Sequence, residues 1–382
     1  MKNQKQTSQQ SEAAKQAQLN RQKKKGSSLG FFSKYSTQIS VALFGSLLLG
    51  AIISVMIPTG KKLTENVIVE EEIAQHNAQN YSFKIGPNTI FKDTTLASTQ
   101  KLFLNQISHK QSLIRCPSEQ DQNIIDLSFN FHTKYPQCVR PIANQGKDCS
   151  ASYSIAAVSS VADRLCMASE GDFNFGLSAQ PTISCYENQS YKCEGGYVSK
   201  TFQKGKTTGF VKEECLPYHG TDSNEGCSLI DKCEHFKIYD YCVSAGQESI
   251  KREIMLNGPV VSLMNVFSDF LVYKSGVYRV LENAAKLKGQ QAVKIIGWDI
   301  DPLTKDYYWI IENSWGEEWG LNGLAYVAMG QEELRLEEYA LAAITLQQAE
   351  TASSQQAKAQ SQGSTLNSHF SNIFVFILAQ IQ

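Results

Sequence analysis

The sequence predicts an α+β protein of two lobes that follows an N-terminal transmembrane helix. Ile155, Val158, Ala162 and Leu165 recur at helical spacing, which predicts a buried or amphipathic helix over residues 152–166. Later runs of aromatic and β-branched residues, separated by Gly, Asp and Asn, are typical of strands. These runs are residues 276–278, 292–298, 307–311 and 323–327. A helical half followed by a β-rich half indicates two packed lobes.

The composition fits one such unit with additional segments. The chain has 382 residues, of which 42% are hydrophobic, so it can bury a sizeable core. Its formal net charge of −1 gives no reason to expect nucleic acid as a partner. The first 34 residues are an exception, because they carry eight Lys or Arg against one acid, Glu12. This stretch is rich in Gln and Ser, and we expect residues 1–34 to form a disordered basic tail in the cytosol.

Residues 35–58 are predicted to be a transmembrane signal anchor. Residues 39–57 form a near-continuous apolar run, long enough to cross ~30 Å of hydrocarbon. A buried core helix and a cleaved signal peptide are the alternatives, but no small-residue cleavage motif precedes Pro58. The basic residues before the run and the acidic residues 70–72 after it predict a cytosolic N-terminus. The rest of the chain is then lumenal or extracellular, in the secretory pathway, a lysosome or vacuole, or at the cell surface.

The cysteines agree with this topology. All ten lie beyond the predicted membrane segment, and an even set on the oxidising side predicts disulfides. Zinc is the competing use of cysteine, but no C-x-x-C pair or His-x-x-x-His partner occurs, so we expect neither a metal nor a cofactor. Two N-glycosylation sequons, at Asn80 and Asn188, fall on the same side.

The remainder of the chain divides by composition. Residues 59–123 are polar and mixed, with a predicted helix near residues 70–79, and are interpreted as a separate segment. The main domain is placed at residues 124–346. The final residues, 347–382, are rich in Gln, Ser and Ala and end in a short apolar run. A disordered tail is expected there, with a weak lipid-anchor signal as the alternative.

An ordered series of short motifs spreads over both predicted lobes. It consists of Tyr135-Pro136-Gln137-Cys138, Asn144-Gln145-Gly146, Ala162-Asp163-Arg164-Leu165-Cys166, Cys193-Glu194-Gly195-Gly196-Tyr197, Asn257-Gly258-Pro259-Val260, Phe267-Ser268-Asp269-Phe270-Leu271, Tyr273-Lys274-Ser275-Gly276-Val277-Tyr278, Ile296-Gly297-Trp298 and Asn313-Ser314-Trp315-Gly316 with Trp319-Gly320. With this series, residues 126–344 resemble the papain family of cysteine proteases, and cathepsin B in particular. The resemblance implies the papain-like fold, with a helical left lobe and a β-barrel-like right lobe. Residues 63–104 resemble, more loosely, the short propeptide of that group.

The resemblance also implies where the family's catalytic residues would stand. These enzymes use a thiolate at the start of the central helix, a His base oriented by an Asn, and a Gln that helps to hold the oxyanion. Here Ser152 stands at the nucleophile position and Gln291 at the His position. Asn313 matches the orienting Asn. Gln145 matches the oxyanion Gln, but it precedes Ser152 by seven residues instead of the usual six.

Both partners in the proton transfer are therefore replaced. An amide has no lone pair basic enough to take a proton near neutral pH, so Gln291 cannot activate a hydroxyl. We expect a pseudoprotease that acts as a binding or scaffolding module, similar to the tubulointerstitial nephritis antigen group, whose cathepsin B-like domain has serine at the nucleophile position. An active peptide hydrolase that uses Ser152 or Cys149 is the alternative. A purely structural ectodomain with a collapsed cleft is a third hypothesis.

Other matched residues describe a cleft that could hold a peptide or protein ligand. Gly195 and Gly196 match the extended backbone that pairs with substrate, and Trp315 matches the aromatic residue that shields the Asn. The acidic residue in cathepsin B's second specificity pocket aligns with Tyr339, so a bound peptide would be selected differently. The occluding loop is short and holds only His219, so carboxydipeptidase activity is not expected. Retention for lobe packing alone is the alternative explanation of these residues.

The order of the cysteines agrees with that of cathepsin B and implies four disulfides. These are Cys138–Cys166, Cys149–Cys193, Cys185–Cys227 and Cys215–Cys233. Cys116 and Cys242 have no counterpart that assigns them a partner.

Overall fold

The structure is a computed structural model that describes residues 64–103, 114–120, 124–186 and 192–349. The predicted basic tail, the predicted anchor at residues 35–58, the sequon at Asn188 and nearly all of the C-terminal tail lie outside these ranges. Among the helices of the described ranges, none combines the length and the apolarity that a membrane crossing requires.

A long central helix organises the first lobe. The α-helices of the described ranges are α1 (Glu70–Ala78), α2 (Leu96–Thr99), α3 (Phe131–Lys134), α4 (Ser152–Ala168), α5 (Val198–Thr207) and α6 (Gln247–Asn257). Helix α4 confirms the predicted helix and extends it by two residues. Small residues such as Ala156, Ala157 and Ala162 are buried along α4, so neighbouring backbone can approach it closely. Helix α1 confirms the helix predicted near residues 70–79.

A nine-stranded sheet forms most of the second lobe. Its strands are β1 (Phe83–Ile85), β2 (Phe129–Asn130), β3 (Asp240–Ser244), β4 (Val260–Phe267), β5 (Tyr273–Tyr278), β6 (Lys286–Ile300), β7 (Tyr307–Glu312), β8 (Leu324–Ala328) and β9 (Ala340–Ile344). The order is β1-β5-β8-β7-β6-β4-β9-β3, with β2 beside β6. The β5–β8 pair is parallel and the other strand pairs are antiparallel. Each of the four runs predicted as strands lies within or overlaps one of these strands.

The register of β6 positions the candidate site. Gln291 pairs with Met264 of β4, and the next residue, Ala292, pairs with Leu263. The backbone N–H of Ala292 donates to Oγ of Ser152 at 3.2 Å, which joins β6 to the first residue of α4. The residue that follows the position predicted for the base is therefore hydrogen-bonded to the N-terminus of the central helix.

The segment that precedes the domain packs into the same core and does not form a separate unit. Strand β1 pairs with β5, where Phe83 lies opposite Gly276. Gly276 has a φ of +86°, and a Cβ there would lie 2.4 Å from the carbonyl oxygen of Ser82, so the pairing requires glycine. Further along, Asn88 Nδ2 donates to the carbonyl of Leu271 at 2.9 Å. The apolar side chains in the described part of residues 59–123 belong to the same hydrophobic core as the sheet.

The side chain of Arg164 ties α4 to the second lobe. It is fully buried and donates to Glu253 Oε1 at 2.9 Å. Three more of its five N–H groups donate to the backbone carbonyls of Gly258, Pro259 and Ala343, at 2.7–2.8 Å. A buried guanidinium with all three nitrogens hydrogen-bonded fixes the lobes in one arrangement.

The structure contains the four implied disulfides and a fifth. Cys138–Cys166, Cys149–Cys193, Cys185–Cys227 and Cys215–Cys233 are all present, which confirms the implied pairing. The fifth bond joins Cys116 to Cys242, across 126 residues of chain. All ten cysteines are therefore oxidised.

A buried carboxyl group at Asp269 makes the stability of the fold depend on pH. Its Oδ1 accepts from the Tyr278 hydroxyl at 2.7 Å, and its Oδ2 accepts from the Leu281 N–H at 3.1 Å. Burial raises the pKa of Asp269 to about 6, and these hydrogen bonds offset only part of that effect. The folded state thus binds more protons than the unfolded state between the ordinary pKa of 3.8 and about 6, so this group's contribution to stability falls as pH rises through that window.

We therefore expect a fall in pH from 7 to 5 to stabilise the protein, relative to its Asp269→Asn variant, by about 1 kcal/mol. Urea unfolding of both proteins at both pH values measures this difference. Groups common to both proteins, such as His76 in the pocket beside Asp269, cancel in the comparison. An identical pH effect in the two proteins would contradict the assignment.

Candidate active site

Ser152 lies at the position expected for a nucleophile. It is the first residue of α4, follows the N-cap Ala151, and is fully buried. Its Oγ accepts the hydrogen bond from Ala292 N described above. The hydroxyl is therefore held against the backbone of β6.

Gln291 faces this helix end as the centre of a buried polar network. Its Nε2 lies 3.0 Å from Gln145 Oε1, 3.0 Å from Asn313 Oδ1 and 3.1 Å from Ser314 Oγ. Two N–H groups thus serve three acceptors, so one hydrogen bond is shared. Its Oε1 has no hydrogen-bond partner in the part of the chain that the structure describes. At the position of the family's base, this side chain acts as a donor and binds residues of both lobes.

Both ends of the Gln145 amide are already engaged. Its Nε2 donates to the carbonyl of Cys149 at 3.2 Å, and its Oε1 accepts from Ser314 Oγ at 2.7 Å as well as from Gln291. Between Gln145 and Ser152, Gly146 has a φ of +75°, and the chain bends at Lys147 and Asp148. The longer spacing therefore leaves Gln145 beside the network, but its donor is directed at protein backbone.

Asn313 and Trp315 lie just after β7. Asn313 is buried, and its Oδ1 accepts from Gln291 and from the backbone N–H of Ser314. Trp315 is also buried, with its ring edge-on to Phe91 and Trp319. The Asn313 Nδ2 and Trp315 Nε1 groups have no partner among the described residues. The Asn is thus oriented by an amide where the family has an imidazole.

The cleft glycines are buried under a tyrosine ring. A Cβ at Gly196 would lie 2.6 Å from the ring of Tyr153, so a larger residue does not fit there. Gly195 has a φ of +99°. The Cys149–Cys193 disulfide fixes this strip, and Ser150 N donates to the carbonyl of Cys193 at 2.8 Å. Because Cys149 is oxidised, the alternative of a Cys149 nucleophile is wrong for this structure.

Tyr339 lies beside β4, next to the start of β9. It is half-buried, and its carbonyl accepts from Ser262 Oγ at 3.2 Å. The contacts described for Tyr339 do not include the Gln145–Gln291–Asn313 network. Whether Tyr339 selects a peptide side chain stays a prediction.

The chain itself covers the site, which the sequence did not predict. A 3₁₀ turn, Gln100–Phe103, buries Leu102 and Phe103. The Leu102 carbonyl accepts from Ser150 Oγ at 2.9 Å, and the Phe103 ring lies 5.9 Å from the Trp315 ring. The apolar run Leu102-Phe103-Leu104, which follows the polar residues 98–101, is the one sequence signal for this contact. Ser314 and Tyr218, whose hydroxyl donates to the Gln145 carbonyl at 2.8 Å, were also missed as site residues.

A cluster of charged residues joins α4 to β6 and β7 near the site. Lys294 binds Asp163 at 2.6 Å and Glu312 at 2.8 Å, and Glu312 also binds His132 at 3.2 Å. Burial alone would raise the pKa of Glu312, but Lys294 and His132 outweigh it and lower that pKa to about 2. Burial would lower the pKa of Lys294, but the two carboxylates raise it. Lys294 therefore stays charged and cannot serve as a general base.

The comparisons with known proteins agree with this geometry. The sequence profile described as "Papain family cysteine protease" matches residues 127–344, more than half of the chain. "Cathepsin B-like cysteine proteinase 4" of Caenorhabditis elegans is 28% identical over 286 residues, which is 64% of this chain and 84% of the relative. "Tubulointerstitial nephritis antigen" of Bos taurus is 31% identical over 229 residues, 52% of this chain, and the match spans 48% of that protein.

The fold also matches a solved structure of a related protein. The structure titled "proCathepsin B S9 from Trypanosoma congolense" aligns with a TM-score of 0.65 and 26% identity, and the match covers 73% of this chain and 99% of that chain. The extent of that match indicates that the similarity includes residues before the domain as well as the two lobes. This chain is a member of the papain family of cysteine proteases, with cathepsin B-like relatives.

Proposed function

We propose that this protein is a proteolytically silent, cathepsin B-like domain that acts as a binding or scaffolding module. The observation that carries the proposal is the pair of hydrogen bonds at the two central positions. Ser152 Oγ accepts from the Ala292 backbone, and Gln291 donates from an amide that cannot accept a proton near neutral pH. Loss of nucleophile and base as a unit typically lowers turnover by ~10⁶-fold.

The state of the oxyanion position supports the same proposal. An oxyanion hole stabilises the transition state only when its donors point to where the negative charge develops. One of the two N–H groups of Gln145 Nε2 is instead bound to the Cys149 carbonyl, so at most one N–H remains to hold an oxyanion. The site would thus need a nucleophile and a base before it could cleave a peptide.

A binding role is favoured over loss of all function because the scaffold is complete. The relative from Bos taurus is named as an antigen, and the resemblance implies that its group combines this domain with serine at the nucleophile position. We infer that a peptide or protein ligand is the partner, held by the domain's surface. Turnover of papain-type peptide substrates by the unmodified protein is the test, and no turnover is expected. Hydrolysis that Ser152→Ala abolishes would favour the active hydrolase instead.

We also propose that residues 35–58 anchor the chain in a membrane, with the domain on the lumenal or extracellular side. Asn80 is exposed just beyond α1, where an oligosaccharide can be accommodated. Expression of the full chain in eukaryotic cells should therefore give a glycosidase-sensitive product. The Asn80→Gln variant should lose that glycan, whereas Ser82→Thr, which preserves the sequon, should keep it. A domain that is accessible to protease from the cytosol would overturn this topology.

A further inference from the structure

We propose that the segment before the domain is a permanent cover of the cleft, retained by the Cys116–Cys242 disulfide, and not a removable propeptide. This segment has two described parts: the cover, residues 64–103, and the clip, residues 114–120. The proposal does not rest on catalytic silence, because it concerns only what occupies the cleft.

The cover reaches from one edge of the sheet to the candidate site. Its strand β1 extends the sheet beside β5, and Phe91 packs edge-on against Trp315 with ring centroids 5.0 Å apart. At its C-terminal end, the buried Leu102 carbonyl accepts from Ser150, two residues before Ser152. The neighbouring Lys101 pairs with Asp148 at 2.7 Å, which lies in the stretch that holds the extra residue. The cover therefore closes the site from the side of the oxyanion position.

The clip is integrated into the opposite edge of the same sheet. Arg115 forms a parallel bridge with Val243 of β3, and Val243 exchanges backbone hydrogen bonds with Ile114 and Cys116 at 2.9 and 3.1 Å. The disulfide to Cys242 lies within this pairing. Ser118 donates from its buried hydroxyl to Glu253, the carboxylate that also binds Arg164. The clip is thus bonded to residues that hold the two lobes together.

The position of the disulfide determines whether a proteolytic cut before Ile124 releases the cover from the domain. Ile124 is 90% exposed and follows the clip, so a cut just before it would separate the clip from the domain in sequence. The cover and clip would remain covalently bound through Cys242. A tethered segment rebinds at an effective concentration of about millimolar or more, whereas a free segment is diluted away. Cys116 and Cys242 are at most 1% exposed, which shields the bond from attack by an external thiolate.

The experiment measures cleft access in the full chain, purified in detergent. A recognition site for a specific protease is inserted immediately before Ile124, and Ser152→Cys supplies a thiol under the cover. The rate at which a polymer-linked maleimide labels that thiol is measured before and after the cut. A second protein, called tetherless because it lacks the Cys116–Cys242 disulfide, carries Cys116→Ala and Cys242→Ala in addition to the inserted site and Ser152→Cys. A third protein, with Leu102→Glu and Phe103→Glu, shows that the probe thiol responds when the cover is displaced.

With the disulfide intact, the cut is expected to change the labelling rate by less than about twofold. In the tetherless protein, the same cut followed by dilution should raise the rate at least about tenfold. A rise in the tethered protein equal to that of the Leu102→Glu, Phe103→Glu control would overturn the proposal. Continued protection of the cut tetherless protein would also overturn it, since the disulfide would then not be what retains the cover. Mass spectrometry of the four remaining disulfides verifies that the tetherless protein is folded. The measurement on the protein with the intact Cys116–Cys242 disulfide tests the proposal even if the tetherless protein does not fold.

Discussion

The unmodified protein is expected to give no measurable hydrolysis of papain-type peptide substrates and no labelling by thiol-directed epoxide inhibitors, with or without the cover. The reason is the absence of a proton acceptor where the family has one, together with a hydroxyl where it has a thiolate. The expected deficit relative to an active relative is on the order of 10⁶-fold in turnover. Fluorogenic peptide assays across pH 4–8 would check it, with Ser152→Ala as the matched control for contaminating protease.

The double variant Ser152→Cys with Gln291→His tests whether restoring the nucleophile and the base restores hydrolysis. An imidazole at position 291 would meet Asn313 Oδ1, which already accepts from the Gln291 amide at 3.0 Å. It would also remove the Gln291 donor from Gln145, although the Gln145 bond to the Cys149 carbonyl would remain. Weak hydrolysis is therefore expected in the double variant, and only when it also carries Cys116→Ala and Cys242→Ala, so that the cover can be cut and released. Each single variant should stay silent, because a thiol facing an amide lacks its base and an imidazole facing a hydroxyl lacks a good nucleophile.

Two results would change this interpretation. Robust hydrolysis by the unmodified protein that disappears in Ser152→Ala would establish an unrecognised mechanism at the same hydroxyl. A double variant that stays silent after the cover is released would mean that the oxyanion donor, and not only the two replaced residues, limits the chemistry. The Michaelis constant of any revived activity would then report on the cleft itself.

The second large effect concerns stability. Replacing Arg164 by methionine should lower the free energy of unfolding by about 3–5 kcal/mol, because Glu253 and three backbone carbonyls would be left buried without their donor. Urea denaturation measures the change. The matched control is Lys101→Ala, which breaks an ion pair whose side chains are 55% and 80% exposed and should cost less than about 1 kcal/mol. Equal losses in the two variants would show that Arg164 is not the link between the lobes.

The features that could be predicted from the sequence were those carried by local periodicity or by a family motif. The central helix, the four strand runs and four disulfides fall in this group. Periodicity reports which face of an element is buried, and motifs supply the long-range pairing that periodicity lacks. The roles that the resemblance implies for Ser152, Gln291 and Asn313 stay predictions, and the hydrogen bonds of these residues could not be predicted from the sequence.

The remaining features depend on contacts that no local pattern encodes. Cys116 and Cys242 are 126 residues apart, and neither has a counterpart in the motifs that assigned the other pairs. The spacing of Gln145 cast doubt on its position, and only the structure shows that its Oε1 accepts from Gln291 and Ser314. Leu102 and Phe103 contact Ser150 and Trp315, which are distant in the sequence. The pattern of polar and apolar residues does not specify such long-range contacts.

The bond between Cys116 and Cys242 has a consequence for how the domain could be shed. Under the proposed topology, the N-terminal segment anchors the protein in the membrane, and the papain-like domain begins at Ile124. A protease that cuts between them would produce two chains that stay joined by the disulfide, so the domain would remain at the membrane. Its departure would require reduction of a disulfide that the fold buries, so a reducing compartment would release the domain only after the residues around Cys116 and Cys242 had opened.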